Sequence, residues 1–264
     1  MTIALASLLI TLAASPGPAG RLPAREPERA IGADSGALTR EQVVATLSAA
    51  TDQKPANFAG HDLSGLDLSG LDFKKANLSH CRLVRTKFTH AKMFAANLDS
   101  AIAREADFSN ALLDIAVMRG TDATHANFRG ASLYAVIVFG ANFTDADFTD
   151  ARLIVAGAGA TFVRAKMAHV NAGADPGNQP MGLMRADFTG ADLTGADLAD
   201  ANFKKVKLTR ANLTGADLTN TDLTLAELDG TVLRSIKGRA SIRGLDKAKH
   251  VEDAVFDSTP AAKP

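Results

Sequence analysis

ADFTG ADLTG ADLAD ANFKK VKLTR ANLTG ADLTN occupies residues 186–220, and the middle residue of every block of five is large and apolar: Phe188, Leu193, Leu198, Phe203, Leu208, Leu213 and Leu218. Two residues earlier stands alanine, or Val206 in one block. The pattern extends outward in both directions. Downstream it continues through Leu223, Leu228 and Leu233. Upstream the same phase runs from Phe58 through Leu63, Leu68, Phe73, Leu78, Leu83, Phe88, Met93 and Leu98, and on to Phe143, Phe148 and Leu153. A period of five matches neither a helix at 3.6 nor a strand at 2, so the repeat itself is the structural unit.

The phase breaks once. After Leu153 the next centres are Phe162, Met167 and Ala172, one residue early, and DPGNQPMGLMR then intervenes at 175–185. One residue lost and eleven inserted is a net ten, which restores the register at Phe188. The segment carrying Pro and Gly therefore reads as a loop extruded from a continuous array.

Blocks such as ANLSH, ADFTG, ADLTG, ADLAD, ANLTG and ADLTN resemble the A-(D/N)-(L/F)-(S/T)-X consensus of the pentapeptide-repeat proteins. The resemblance implies an all-β fold, a right-handed quadrilateral β-helix of about eight coils with four blocks per coil. The central Leu or Phe and the preceding Ala would point inward, and the other three residues outward. A small and a large residue per side fill a narrow square core. At the ~4.8 Å strand spacing such a rod would be about 40 Å long. A period of twenty then brings Phe88, Phe108, Phe128 and Phe148 into one internal ladder of rings. Asp, Asn, Ser and Thr beside the corners can satisfy turn backbone groups.

The flanks read differently. Met1–Leu12 is an apolar run followed by AASPGPAG, with the dimensions of a secretory signal and a cleavage position after Ala19, although no basic residue precedes Arg21. Residues 1–19 are expected to direct export to the periplasm or beyond; a cytoplasmic N-terminus is the alternative. Residues 20–38 read as a linker. In segment 39–55, Thr39 and Gln42 form a capping box ahead of Val43, Val44 and Leu47, predicting a short capping helix over roughly 40–50. The array spans 56–233, and 234–264 is expected to be a C-terminal cap with one short helix and a disordered tail from about Ser258.

Charge and composition exclude several functions. The chain of 264 residues balances 29 Lys and Arg against 29 Asp and Glu, which argues against a dedicated nucleic-acid binder. The lone Cys81 falls on an alanine position and is expected to be a small buried hydrophobe. His80, His90 and His125 would project from three different faces, and His61 and His169 stand alone, so no shared metal is expected. No nucleophile has a basic partner and no Gly-rich loop follows a strand. Neither catalysis nor a cofactor is expected.

The outward positions carry one departure. On the face centred on Phe73, Met93, Leu113, Leu133 and Leu153, they include Phe94, Leu112, Ile115, Tyr134, Ile154 and Val155. The adjoining face adds Val117, Ile137 and Phe139. A contiguous apolar strip is expected there, and such strips mark interaction surfaces. It would hold an unknown protein partner or a second copy of the chain, or be covered by loop 175–185 or by the termini. Some relatives mimic B-form DNA and bind type II topoisomerases, conferring quinolone resistance. That activity needs a strongly acidic rod, whereas residues 56–233 carry 20 acidic and 17 basic side chains. Topoisomerase binding is therefore the alternative reading, and a protein-interaction module the main one.

Overall fold

The structure is a computed structural model that describes residues 36–173 and 185–257. The signal-like segment, most of the linker, nearly all of loop 175–185 and the tail from Ser258 lie outside the described residues.

Each block of five makes one side of a coil. The central residue's carbonyl accepts the amide three residues on, as in Ala76 N–H to Phe73 at 2.8 Å, and closes a corner. The residue between them has positive φ, for example Lys75 at 59°, His90 at 57° and Asp145 at 59°. Asn, Asp and Gly tolerate that backbone best. The Asp or Asn before the centre supplies a second local bond. Its Oδ1 accepts the amide two residues on, as Asp62 from Ser64 at 2.8 Å and Asp147 from Thr149 at 2.9 Å. The recurring acid is thus corner chemistry.

Successive coils stack through parallel backbone bridges in four columns. The first face runs through Asn57, Asn77, Asn97, Val117, Ile137, Ala156, Asp187, Lys207, Glu227 and Lys249. The second starts Ala37–Asp62–Arg82, the third Asp67–Lys87 and the fourth Asp72–Lys92. Most bridging partners lie twenty residues apart, four blocks of five, which makes the rod four-sided. Its two longest strands, β1 (Ser132–Ile137) and β2 (Arg152–Ala156), pair in parallel across a corner that β1 turns at Ala135, with positive φ, and β2 passes without a left-handed residue. Bridges elsewhere on the sides are isolated.

The interior is a column of fully buried Leu, Phe and Ala. Phe88, Phe108, Phe128 and Phe148 stack with centroids 5.1, 4.9 and 4.8 Å apart and ring planes within 6° of parallel. Where Thr replaces the small inward Ala, its hydroxyl donates to a carbonyl of the preceding coil. Thr86 reaches Leu63 and Thr121 reaches Leu98, both at 2.8 Å. Cys81 does the same toward Phe58, and burial pushes its thiol up to about 12.

Helix α1 (Arg40–Ser48) begins at the Thr39–Gln42 capping box and closes the first coil. It buries Val43, Leu47 packs at the edge of the core, and the Arg40 side chain donates to the Asp67 carbonyl.

The C-terminal segment differs from expectation. No α-helix forms over 234–257. Lys237, Arg243, Lys249 and Val255 bridge to the third, fourth, first and second faces in turn, completing one further coil. Its period is six. Gly238, Gly244 and His250 adopt positive φ, each followed by a single 3-10 turn: Arg239–Ser241, Leu245–Lys247 and Val251–Asp253. Strands β3 (Val232–Leu233) and β4 (Val255–Phe256) pair at its end. The extra residue widens each corner, and Ile236, Ile242, Ala248 and Ala254 turn toward the core.

Candidate interaction surface

The lost residue and the inserted loop fall at the same corner, between the fourth and first faces, on successive coils. Tyr134 pairs with Ile154 and Val136 with Val155, so the coil below has no counterpart to Ala135. One coil further, the chain leaves the fourth face after Asn171 and rejoins the first at Asp187, sixteen residues on. This skip corrects part of the expected strip. Val155 takes the inward place that Val136 holds above it, and Ile154 lies beside it; both are only 2% exposed. The core compensates at Gly157, where a Cβ would stand 2.8 Å from Val138 Cγ2. Ile154 and Val155 instead line a cavity of about 330 Å³ with Ala135, Ala156, Arg185, Asp187 and Lys207.

The rest of the strip lies at the surface. Phe94 is 42% exposed, Leu112 49%, Ile115 47% and Phe139 41%. Val117, Tyr134 and Ile137 are half-buried beside them. Leu112 bridges Lys92 on one side and Ser132 on the other, and Val117 bridges Ile137. The side chains therefore sit one coil apart on both sides of a convex corner whose tip is Ile115. Tyr134 lies under the Arg152 guanidinium, 4.1 Å from the ring centre. Asp114, the carboxylate within the patch, accepts from Ser132 Oγ at 2.5 Å and Tyr134 N–H at 3.1 Å.

Ile115 has φ of 62°, and among the described residues no other β-branched side chain has left-handed backbone. That conformation costs roughly 1–2 kcal/mol. Strain of this kind on an exposed apolar residue has no packing benefit to match it, and strained residues gather at functional surfaces.

Charge is sorted by face. The outer positions of the fourth face carry Lys74, Lys75, Lys92, Arg152, Lys204, Lys205 and Arg243 against Asp72, Asp114 and Asp222. The bridging column of the third face instead runs Asp67, Lys87, Asp107, Asn127, Asp147, Lys166, Asp197, Asp217 and Lys237, five acids against three lysines. Several cations are paired: Lys74 with Asp52 at 3.1 Å, Lys204 with Asp222 at 3.3 Å, Lys207 with Asp187 at 3.1 Å and Arg185 with Glu227 at 2.9 Å. Burial raises the pKa of Asp187 and Asp222. Hydrogen bonds from Thr189 and Thr224 and the paired lysines outweigh it and hold both below the ordinary carboxylate value. Asp145 is lowered chiefly by its hydrogen-bonded pair with Arg164.

His80, His90 and His125 stand at corners of the first, third and second faces. The ligating side chains that do gather, His250, Glu252 and Asp253, are exposed on the last coil.

The four-sided stacking and the periodic core agree with a sequence comparison. The family model "Pentapeptide repeats" matches in eight copies, over residues 56–89, 91–130, 104–137, 126–154, 183–220 and 196–234, together more than half of the chain. The chain is a pentapeptide-repeat protein. Among solved structures, this pentapeptide-repeat protein is similar to HetL of Nostoc sp. strain PCC 7120, involved in heterocyst differentiation regulation. The two share 22% identity over 83% of this chain and 94% of that one, with TM-score 0.32. It is similar to QnrB1, a plasmid-mediated fluoroquinolone resistance protein, at 15% identity over 73% and 90% of the two chains, with TM-score 0.43. A pentapeptide repeat protein from the Arabidopsis thaliana thylakoid lumen shares 37% identity over 36% of this chain and 69% of its own, with TM-score 0.31. No curated protein sequence matches the chain.

Proposed function

We propose that this pentapeptide-repeat protein is a non-enzymatic interaction module whose right-handed rod presents the corner between the fourth and first faces to a protein partner. One observation carries the reading. Phe94, Leu112 and Ile115 are exposed on consecutive coils at that corner, with Val117 and Ile137 half-buried beside them and exposed Phe139 at the far edge of the first face, all at outward positions that most other blocks fill with polar or charged side chains. A patch of this kind on a folded rod marks an interaction surface. Export is part of the proposal and rests on the signal-like residues 1–19. The test is affinity capture of partners from the native host by the chain and by a Phe94→Glu, Tyr134→Glu, Phe139→Glu variant, with circular dichroism to verify folding. Specific partners lost on the variant support the reading. Equal recovery on both refutes it.

The topoisomerase reading draws on the likeness to QnrB1, a plasmid-mediated fluoroquinolone resistance protein. Mimicry of DNA needs a continuous anionic stripe. The first six positions of the third-face column, Asp67, Lys87, Asp107, Asn127, Asp147 and Lys166, interrupt any such stripe with cations and amides. Supercoiling by gyrase in the presence of the chain is expected to be unchanged, and inhibition or protection from a quinolone would restore this alternative.

A further inference from the structure

The chemistry of the partner can be read from what surrounds the patch, on the understanding that the patch is an interaction site as argued above. Leu112 lies in a column between Lys92, one coil before it, and Arg152, two coils after it. The further cations on that face are met by acids of this chain, Lys74 and Lys75 by Asp52 and Lys204 by Asp222, so Lys92 and Arg152 are the cations that flank the patch itself. The carboxylate inside the patch, Asp114, is turned to its own coil neighbours by the Ser132 hydroxyl and the Tyr134 amide. The apolar corner is thus flanked along the fourth face by Lys92 on one side and Arg152 on the other.

A second copy of the chain does not fit this pattern. A two-fold contact through the patch places Lys92 opposite Arg152 when the rods run antiparallel, and Lys92 opposite Lys92 when they run parallel. Like charges at that distance oppose the contact. The corner is also convex, with Ile115 held at its tip in a left-handed backbone, so it suits a recess in the partner.

We propose that the patch docks a partner protein whose contact surface is an apolar recess or segment bordered by Asp and Glu. Electrostatic complementarity of this kind gives specificity and a salt-sensitive association rate.

The test uses the full chain and a displayed library of random 15-residue peptides, followed by fluorescence anisotropy on synthetic copies of the selected sequences. Selected peptides are expected to combine Leu, Ile or aromatic anchors with an excess of Asp and Glu. Their Kd should rise at least tenfold on Phe94→Ser with Phe139→Ser, at least fivefold on Lys92→Glu with Arg152→Glu, and also with added salt. Circular dichroism melts of both double variants establish that they fold. Peptides that depend on the apolar pair but are indifferent to the cation pair overturn the charge assignment and leave the interaction site standing. Failure to select any peptide dependent on the apolar pair overturns both. Two further results overturn the proposal in favour of other occupants. One is co-sedimentation with phosphatidylcholine vesicles containing 30% phosphatidylglycerol, lost on the apolar variant. The other is a dimer in light scattering that the same variant dissociates.

Discussion

Replacing Phe108 by alanine tests the stacked interior directly. Its ring lies between Phe88 at 5.1 Å and Phe128 at 4.9 Å, both nearly parallel, and the residue is fully buried. Removing roughly 150 Å² of buried apolar surface at ~25 cal/mol per Å² costs about 4 kcal/mol. Two stacked contacts, each worth ~0.5–1.5 kcal/mol beyond area, raise the expected loss to about 5 kcal/mol, at the upper end of the usual Phe→Ala range of about 3–5 kcal/mol. The comparison is Phe203→Ala, equally buried, whose stacked neighbour is Phe188 at 5.5 Å. It should lose ~0.5–1.5 kcal/mol less. Urea unfolding followed by circular dichroism measures both, since the chain has no tryptophan and a single tyrosine. A Phe108→Ala loss under ~2 kcal/mol would mean that the coils collapse to fill the gap. A loss no larger than that of Phe203→Ala would refute the contribution of the stack.

Ile115→Asn should be more stable than Ile115→Val by about 1 kcal/mol in urea, because Asn accepts left-handed backbone and Val does not; the reverse order would remove the argument for strain. Gly157→Ala should destabilise by ~1–3 kcal/mol through its clash with Val138, and adding Val138→Ala should recover part of that loss. A Gly157→Ala melting temperature equal to the parent's would show that the cut corner has slack. Cys81, buried with its thiol pushed up to about 12, should resist a disulfide reagent in native buffer and react on unfolding; rapid native labelling contradicts the burial. Asp145, Asp187 and Asp222 all titrate below the ordinary 3.8 in the fold, so their stabilisation is complete above about pH 4. It is lost as the pH falls through the lowered values. Thermal melts should be level from pH 7 to 5 and drop below 4, and Asp145→Asn should make the drop shallower.

The four-sided rod was legible because its signal is redundant: the inward Leu and Phe recur with one phase from Phe58 to Leu153 and again from Phe188 to Leu233. The skipped residue was visible too, as the early arrival of Phe162. Its consequence for side chains was not. Assigning Ile154 and Val155 to the outside assumed a full corner after Leu153, and without that corner Val155 moves to an inward position. The last coil escaped notice because it keeps the architecture and changes the period. Ile236, Ile242, Ala248 and Ala254 repeat at six, with Gly238, Gly244 and His250 at the same spacing, a pattern that a ruler of five steps across. Charge sorting by face was in principle readable from the repeat phase; it is diluted in the whole-chain balance because cations on the fourth face offset acids elsewhere. The strain at Ile115 needed the backbone itself.

The corner that carries both the skip and the inserted residues says something about how such a rod measures length. Asn142 bridges Thr161 and Thr161 bridges Asp192, so adjacent turns of the same second face consume 19 and then 31 residues. The stacking on that face continues across both. What each turn must conserve is the circuit of inward side chains, while the chain used to round this edge is free to vary. The edge between the fourth and first faces is therefore a natural graft point, where a foreign segment can be spliced in with its two ends already held on adjacent faces of one coil.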